Sequence, residues 1–308
     1  MHLNHVRLGS GRPLLLVHGL GGSWRSWEPV LTPLSAQRQV IAVDLPGFGA
    51  SPPLDGTSSI ATLADALAAF IAGAGLRGID AVGSSLGARV VLELGRRGGS
   101  LGAIVALDAG GFWGRWERHA FYVSNLLSMG ALRALRPALP ALSRSPAGRT
   151  LLLARLSARP MDVPAAMALH EMRSYAATRA PARLLFQLAY REPDLGAPPG
   201  TFRRPLVIGW GRDDRIFSAS HARHALALFP DARLHWFERC GHFPQWDAPE
   251  ATVRLILETT AASGEDVGTQ GQVTGAVPPH ERGSADRSMG PAGVAQSGPS
   301  SFNPRRVT

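Results

Sequence analysis

The chain has 308 residues and 45% apolar side chains, enough for one catalytic domain of ordinary size. Cys240 is the only cysteine, which excludes a framework of intramolecular disulfides and fits a reducing, cytoplasmic setting. The net charge of +9 rests on 32 basic residues, every one an arginine, which reads as a compositional bias rather than a phosphate-binding face, so no nucleic-acid partner is expected.

From residue 1 to about Asp108, short apolar runs alternate with segments of helical spacing, the rhythm of a parallel sheet with crossover helices. Pro13 to Val17, Gln39 to Val43, Gly78 to Val82 and Leu101 to Leu107 are nearly continuously apolar and read as strands buried on both faces. Ser26 to Ala36, Ile60 to Ala74 and Leu86 to Arg97 read as the helices between them. After Asp108 the rhythm breaks, returning with a strand at Pro205 to Trp210 and a helix at Ser218 to Phe229. A strand at Arg233 to Phe237 and a helix at Pro249 to Ala261 then close the sheet.

The expected organisation is an α/β core at 1–111 and 201–262, a helical cap at 112–200 and a disordered tail at 263–308. Pro137, Pro140, Pro146, Pro160, Pro164 and Pro181 predict several short cap helices in place of long ones. The tail holds 8 Gly, 5 Pro and 6 Ser in 46 positions, too little apolar surface to offset its ordering entropy. No apolar run reaches the ~18 residues of a membrane span, so no stable membrane insertion is expected.

Four loops carry candidate chemistry. Gly83-Ser84-Ser85-Leu86-Gly87 lies between a buried strand and a helix, where a tight turn projects a serine hydroxyl above the sheet. The glycine spacing selects Ser85 over Ser84 as nucleophile, with Gly83 and Gly87 permitting close backbone approach. His18-Gly19-Leu20-Gly21-Gly22-Ser23 follows the strand at Pro13, and Leu20 and Leu86 are the expected N–H donors to an oxyanion. His18 itself reads as a structural histidine.

Gly211-Arg212-Asp213-Asp214 offers a carboxylate to orient a histidine; Asp214 is favoured, with Asp108 a second candidate. His242, in Cys240-Gly241-His242-Phe243, is the expected general base, its ordinary pKa suiting it to take and return a proton near neutrality. Cys240 reads as packing beside that loop. Trp113, Trp116, Phe121 and Phe243 are candidates to line an apolar substrate pocket, and neither metal nor cofactor is called for.

With HGLGGS at 18–23, DLPGFGAS at 44–51, GSSLG at 83–87, GRDD at 211–214 and CGHFPQW at 240–246, the chain resembles the α/β-hydrolase superfamily over residues 3–261. The resemblance implies a mostly parallel twisted sheet flanked by helices and an inserted cap. It assigns Ser85, Asp214 and His242 as nucleophile, acid and base, Leu20 and Leu86 as oxyanion donors, and the 44–51 loop as a buttress. Serine at position 85 sets it apart from haloalkane dehalogenases and epoxide hydrolases, which need a carboxylate nucleophile.

The family usually begins with an extra strand, where here only Leu3 to Leu8 precedes Pro13, so the first edge strand is expected to be missing. A start codon assigned too late would give the same appearance. Within the superfamily, cleavage of a small apolar carboxylic ester through an acyl-enzyme is the default. Carbon–carbon cleavage, as in meta-cleavage-product hydrolases, is the runner-up; 12 arginines against 5 acidic residues at 112–194 would suit its acidic substrates, although solvated arginines on a cap surface in an arginine-biased composition are the preferred reading of that excess. A non-catalytic ligand receptor on the same fold is the third reading. Oligomeric state is left open.

Overall fold

Continuous apolar runs form the centre of the sheet because helices cover them on both sides. The computed structural model describes residues 2–192 and 196–261. The expected disorder of 263–308 lies outside those residues. Seven strands stand in the order β1-β3-β2-β4-β5-β6-β7: β1 His5–Leu8, β2 Pro13–Val17, β3 Gln39–Val43, β4 Ile79–Ser84, β5 Leu101–Leu107, β6 Leu206–Gly211 and β7 Ala232–Phe237. All neighbours run parallel except β1, which pairs antiparallel with β3. The short stretch before Pro13 is therefore itself an edge strand.

Side chains alternate across the sheet with the period of two that a pleated strand imposes. Leu15, Val17, Ile41 and Val43 enter one core with α2 (Ile60–Gly73), α3 (Leu86–Arg97) and, further on, α9 (Ala219–Leu228). Leu14, Leu16, Val40 and Ala42 enter the other, with α1 (Glu28–Ser35) and α11 (Pro249–Ala261). A short 3-10 turn, Trp24–Trp27, leads into α1.

Strand ends depart slightly from expectation. β4 runs on to Ser84 because Gly83 and Ser84 still pair with Ala106 and Leu107 of β5. β6 begins at Leu206, while the carbonyl of the preceding Pro205 accepts from Ile104 N.

Between β5 and β6 the chain inserts α4 (Arg115–Ala134), α5 (Leu139–Arg144), α6 (Pro146–Leu153), α7 (Ala165–Ala177) and α8 (Pro181–Phe186). One expectation fails: α4 is a helix of 20 residues. The prolines that shorten its successors begin only at Pro137, past its end, so nothing interrupts its ladder. Leu132, Leu139, Leu153, Met167 and Met172 pack a separate apolar cluster, which takes in Trp246. Trp246 belongs to α10 (Pro244–Asp247), just after the loop bearing His242.

Among the described residues no helix is long and apolar enough to cross a membrane.

Candidate active site

The turn between β4 and α3 places Ser85 at φ +54°, a strained conformation for a residue with a side chain, held by its N–H donating to Leu107 O at 2.8 Å. The flanking glycines make that turn sterically feasible. A Cβ on Gly83 would lie 2.4 Å from Gly87 O, and one on Gly87 would lie 2.2 Å from Val17 O. Ser84 points elsewhere, its Oγ accepting from Gln245 Nε2 at 3.3 Å.

Ser85 Oγ lies 2.9 Å from His242 Nε2, and His242 Nδ1 lies 2.8 Å from Asp214 Oδ2. With Nδ1 donating to the carboxylate, Nε2 is free to accept from the serine hydroxyl. Asp214 is held in turn: its Oδ1 accepts from Ile216 N at 2.7 Å and Phe217 N at 3.1 Å. Asp213 is exposed, whereas Asp214 is buried. Phe217 and Phe243 pack their rings 5.1 and 4.8 Å from the imidazole and keep bulk water from its flanks.

Asp108 closes β5 beside Asp214 and makes no bond to His242; its Oδ1 accepts from Gly211 N at 2.9 Å. One donor atom each of Asp108, Asp214 and His242 lie within 4.8 Å of one another. Nδ1 of the histidine is already committed to Asp214, so a cation seated among them would have to break that bond.

Leu20 and Leu86 both border the space in front of Ser85. Leu86 opens α3, where the first N–H groups of a helix lack intrahelical acceptors. The Leu20 loop is braced by His18, whose Nε2 accepts from Leu45 N at 2.9 Å, so that Nδ1 bears the proton donated to Gly19 O at 2.7 Å. Burial holds its pKa below the usual imidazole range, which preserves this neutral form. Asp44 completes the brace, accepting from Trp24 N, Asn4 Nδ2 and Ala50 N.

Above Ser85 lies a cavity of about 340 Å³ whose wall is mostly apolar. Trp113, Phe121 and Phe243 line it, with Trp113 and Phe121 stacked at 4.6 Å between centroids. Trp116 does not. It is 86% exposed, because the first turn of α4 directs it to solvent while Trp113, just before the helix, turns inward. Arg89 and Arg155 also reach the cavity wall.

Two features, Asp247 and Glu171, escaped the sequence reading. Asp247 takes Gly241 N, Ser157 Oγ and Ala158 N at 2.5–2.7 Å, and His242 N donates to Leu156 O, so the histidine loop is fastened to the connection between α6 and α7. Cys240, as the sequence reading expects, packs buried in the same loop; burial and neighbouring carboxylates push its thiol pKa up, away from nucleophilic use. Glu171, on α7, reaches the cavity wall and accepts from Ser26 Oγ at 2.8 Å. Contacts of this kind join segments some 90 to 145 positions apart and leave no local pattern.

Burial pushes the Glu171 carboxyl up from its ordinary value near 4.5 to about 8. Below pH 4.5 both folded and unfolded chains hold that proton. As pH rises towards 8 only the unfolded chain releases it, so the native state loses up to about 5 kcal/mol from this group. Glu171→Gln should abolish that part of the decline: the stability gap between pH 5 and pH 8, read by urea denaturation, is expected to be smaller in the variant than in the wild type.

Comparison with known proteins agrees with the geometry. The sequence pattern of the alpha/beta hydrolase family matches residues 14–255. Over 273 residues the chain is 31% identical to 2-hydroxymuconate semialdehyde hydrolase of Pseudomonas putida, spanning 80% of this chain and 86% of that protein. It is 28% identical over 254 residues to the dihydrolipoyllysine-residue acetyltransferase component of the acetoin cleaving system of Pseudomonas putida, spanning 80% of this chain and 63% of that protein. Other curated relatives are matched over shorter stretches, 24% and 22% of their lengths for two hydrolases of Burkholderia cepacia and Comamonas testosteroni.

Among solved structures, a bacterial membrane phospholipase A superposes with a TM-score of 0.67 at 25% identity, covering 85% of this chain and 83% of that one. A parallel sheet whose carboxyl edge gathers serine, imidazole and carboxylate, and a family pattern spanning nearly all of that sheet, lead to one conclusion: this chain belongs to the α/β hydrolase family.

Proposed function

We propose that this hydrolase cleaves a carboxylic ester through an acyl-enzyme intermediate, with Ser85 as nucleophile, His242 as general base and acid, and Asp214 as the carboxylate that orients the imidazole. The observation that supports it best is the unbroken hydrogen-bonded chain from Ser85 Oγ through His242 to Asp214 at the floor of an apolar cavity. His242 takes the hydroxyl proton as Ser85 attacks the acyl carbon, and the Leu20 and Leu86 N–H groups stabilise the oxyanion. His242 then protonates the leaving alcohol and activates the water that releases the acid. Residues 112–200 serve as the cap over the acyl group.

A second reading, hydrolysis of a carbon–carbon bond in a diketo acid, is favoured by the similarity to 2-hydroxymuconate semialdehyde hydrolase and by Arg89 and Arg155 at the cavity wall. Specificity constants separate the two. A series of p-nitrophenyl esters of graded chain length is expected to be turned over at least tenfold more efficiently than a dienoate ring-fission product. A preference for the dienoate by orders of magnitude overturns the ester assignment and leaves the same serine, histidine and aspartate in service of the second reading.

A further inference from the structure

Asp108 is fully buried at the end of β5, in the left-handed region at φ +45°, and its backbone N–H donates to Gly209 O. Its Oδ1 accepts one hydrogen bond, from Gly211 N; its Oδ2 is buried and receives no hydrogen bond from any donor among the described residues. An oxygen of the Asp214 carboxyl lies within 4.8 Å of an oxygen of Asp108. Around the pair stand His242 and, from the following loop and α10, Cys240 and Asp247. The guanidinium of Arg159, nearby, donates to the Asp247 main chain.

Two neighbouring carboxylates in so dry a place cannot both carry charge. Asp214 already has both oxygens engaged as acceptors, from the imidazole and from two backbone amides. Asp108 has one acceptor in use and one oxygen idle, and an idle buried acceptor costs free energy that an O–H donor would not. Burial and the charge of Asp214 accordingly push the Asp108 carboxyl well above the usual carboxylate range.

We propose that Asp108 is a positioning residue that holds a proton in the active enzyme and donates it, as an O–H hydrogen bond from Oδ2, to the Asp214 carboxylate. The bond adds a donor to those already fixing Asp214 and makes it a weaker base towards the His242 proton. It also keeps the Asp108 and Asp214 pair at a single negative charge beside the imidazole. The inference rests on the assignment of His242 and Asp214 given above, and its first test is independent of turnover.

That test is infrared spectroscopy at neutral pH. The wild type is expected to show the C=O stretch of a buried carboxylic acid that is lost in Asp108→Asn; if subtracting the two spectra leaves no such band, the proposal fails whether or not the protein hydrolyses esters. Asparagine can accept from Gly211 with its oxygen and donate to Asp214 with its amide. Asp108→Asn should therefore rescue most of the roughly 10- to 100-fold in kcat that Asp108→Ala loses, while KM stays put.

The acid limb of kcat/KM should superimpose for wild type and Asp108→Asn. If Asp108 were ionised, asparagine would delete a charge beside the imidazole and move that limb to lower pH by about one unit or more, which overturns the proposal. Equal losses in the folded Asn and Ala variants would overturn it as well. Should the alanine variant not fold, the band and the acid limb decide. Loss of fluorophosphonate labelling at Ser85, by contrast, would strike the hydrolase assignment and leave the infrared result standing.

Discussion

Ser85→Ala is expected to lower kcat for p-nitrophenyl esters by about 10⁵- to 10⁶-fold and to abolish labelling by a fluorophosphonate. The size follows from where the hydroxyl sits. It is the atom placed 2.9 Å from His242 Nε2, and Ser84 Oγ beside it is turned to Gln245, so no neighbouring alcohol can replace it. Alanine removes one polar atom and keeps the backbone bond to Leu107 O, so circular dichroism and melting temperature should change little. A folded alanine variant that keeps its rate, or a folded wild type that resists the probe, would sink the assignment of Ser85 and favour a ligand-binding role.

Asp80→Ala is expected to lower the unfolding free energy by about 3–5 kcal/mol, with little effect on kcat of the protein that remains folded. Asp80 is fully buried near the start of β4, and its carboxylate receives Arg38 Nη2 at 2.7 Å, Arg12 Nη2 at 3.1 Å and Ala103 N at 2.9 Å. Arg38 is itself 7% exposed and also donates to Arg12 O, Pro13 O and Thr260 Oγ1. The cluster thus ties β2, β4, β5 and α11 at the edge of the sheet opposite Ser85.

Alanine would leave the Arg38 guanidinium buried without its counter-charge, which costs more than the pair contributes when intact. Ser85 lies roughly 17 Å along the strand, so the chemistry should be spared. Urea midpoints with unchanged kcat per folded molecule would bear this out. The double variant Arg38→Met with Asp80→Leu should recover much of the loss, because it removes the two buried charges together and leaves only the half-exposed Arg12.

The buried strands were legible because parallel strands covered on both faces leave continuous apolar runs, as Leu14 to Val17 and Val40 to Val43 do. Ser85 was legible through its glycines, whose hydrogens occupy space that a Cβ would take from Val17 and Gly87. The length of α4 was misjudged because proline density was averaged over the insertion, while a helix responds only to prolines within it. Trp116 was misplaced because one turn of helix separates inward from outward, and no apolar count resolves that angle. The neighbourhoods of Asp108, Glu171 and Asp247 were hidden for another reason. Each depends on which distant loop comes to rest against it, and burial, the main cause of the shifts at Asp108 and Glu171, is a property of the packed chain alone.

The fastening of the histidine loop to the connection between α6 and α7 would couple the proposed roof to the proposed machinery. Leu156 O holds the His242 amide, and Asp247 grips Ser157 and Ala158, so the roof cannot lift on that flank without drawing the imidazole off its hydroxyl. On the proposed roles, substrate and product would pass by the other flank. A molecule sprung open at the wrong side would hold a serine with no base to wake it, and water flooding in would find nothing armed.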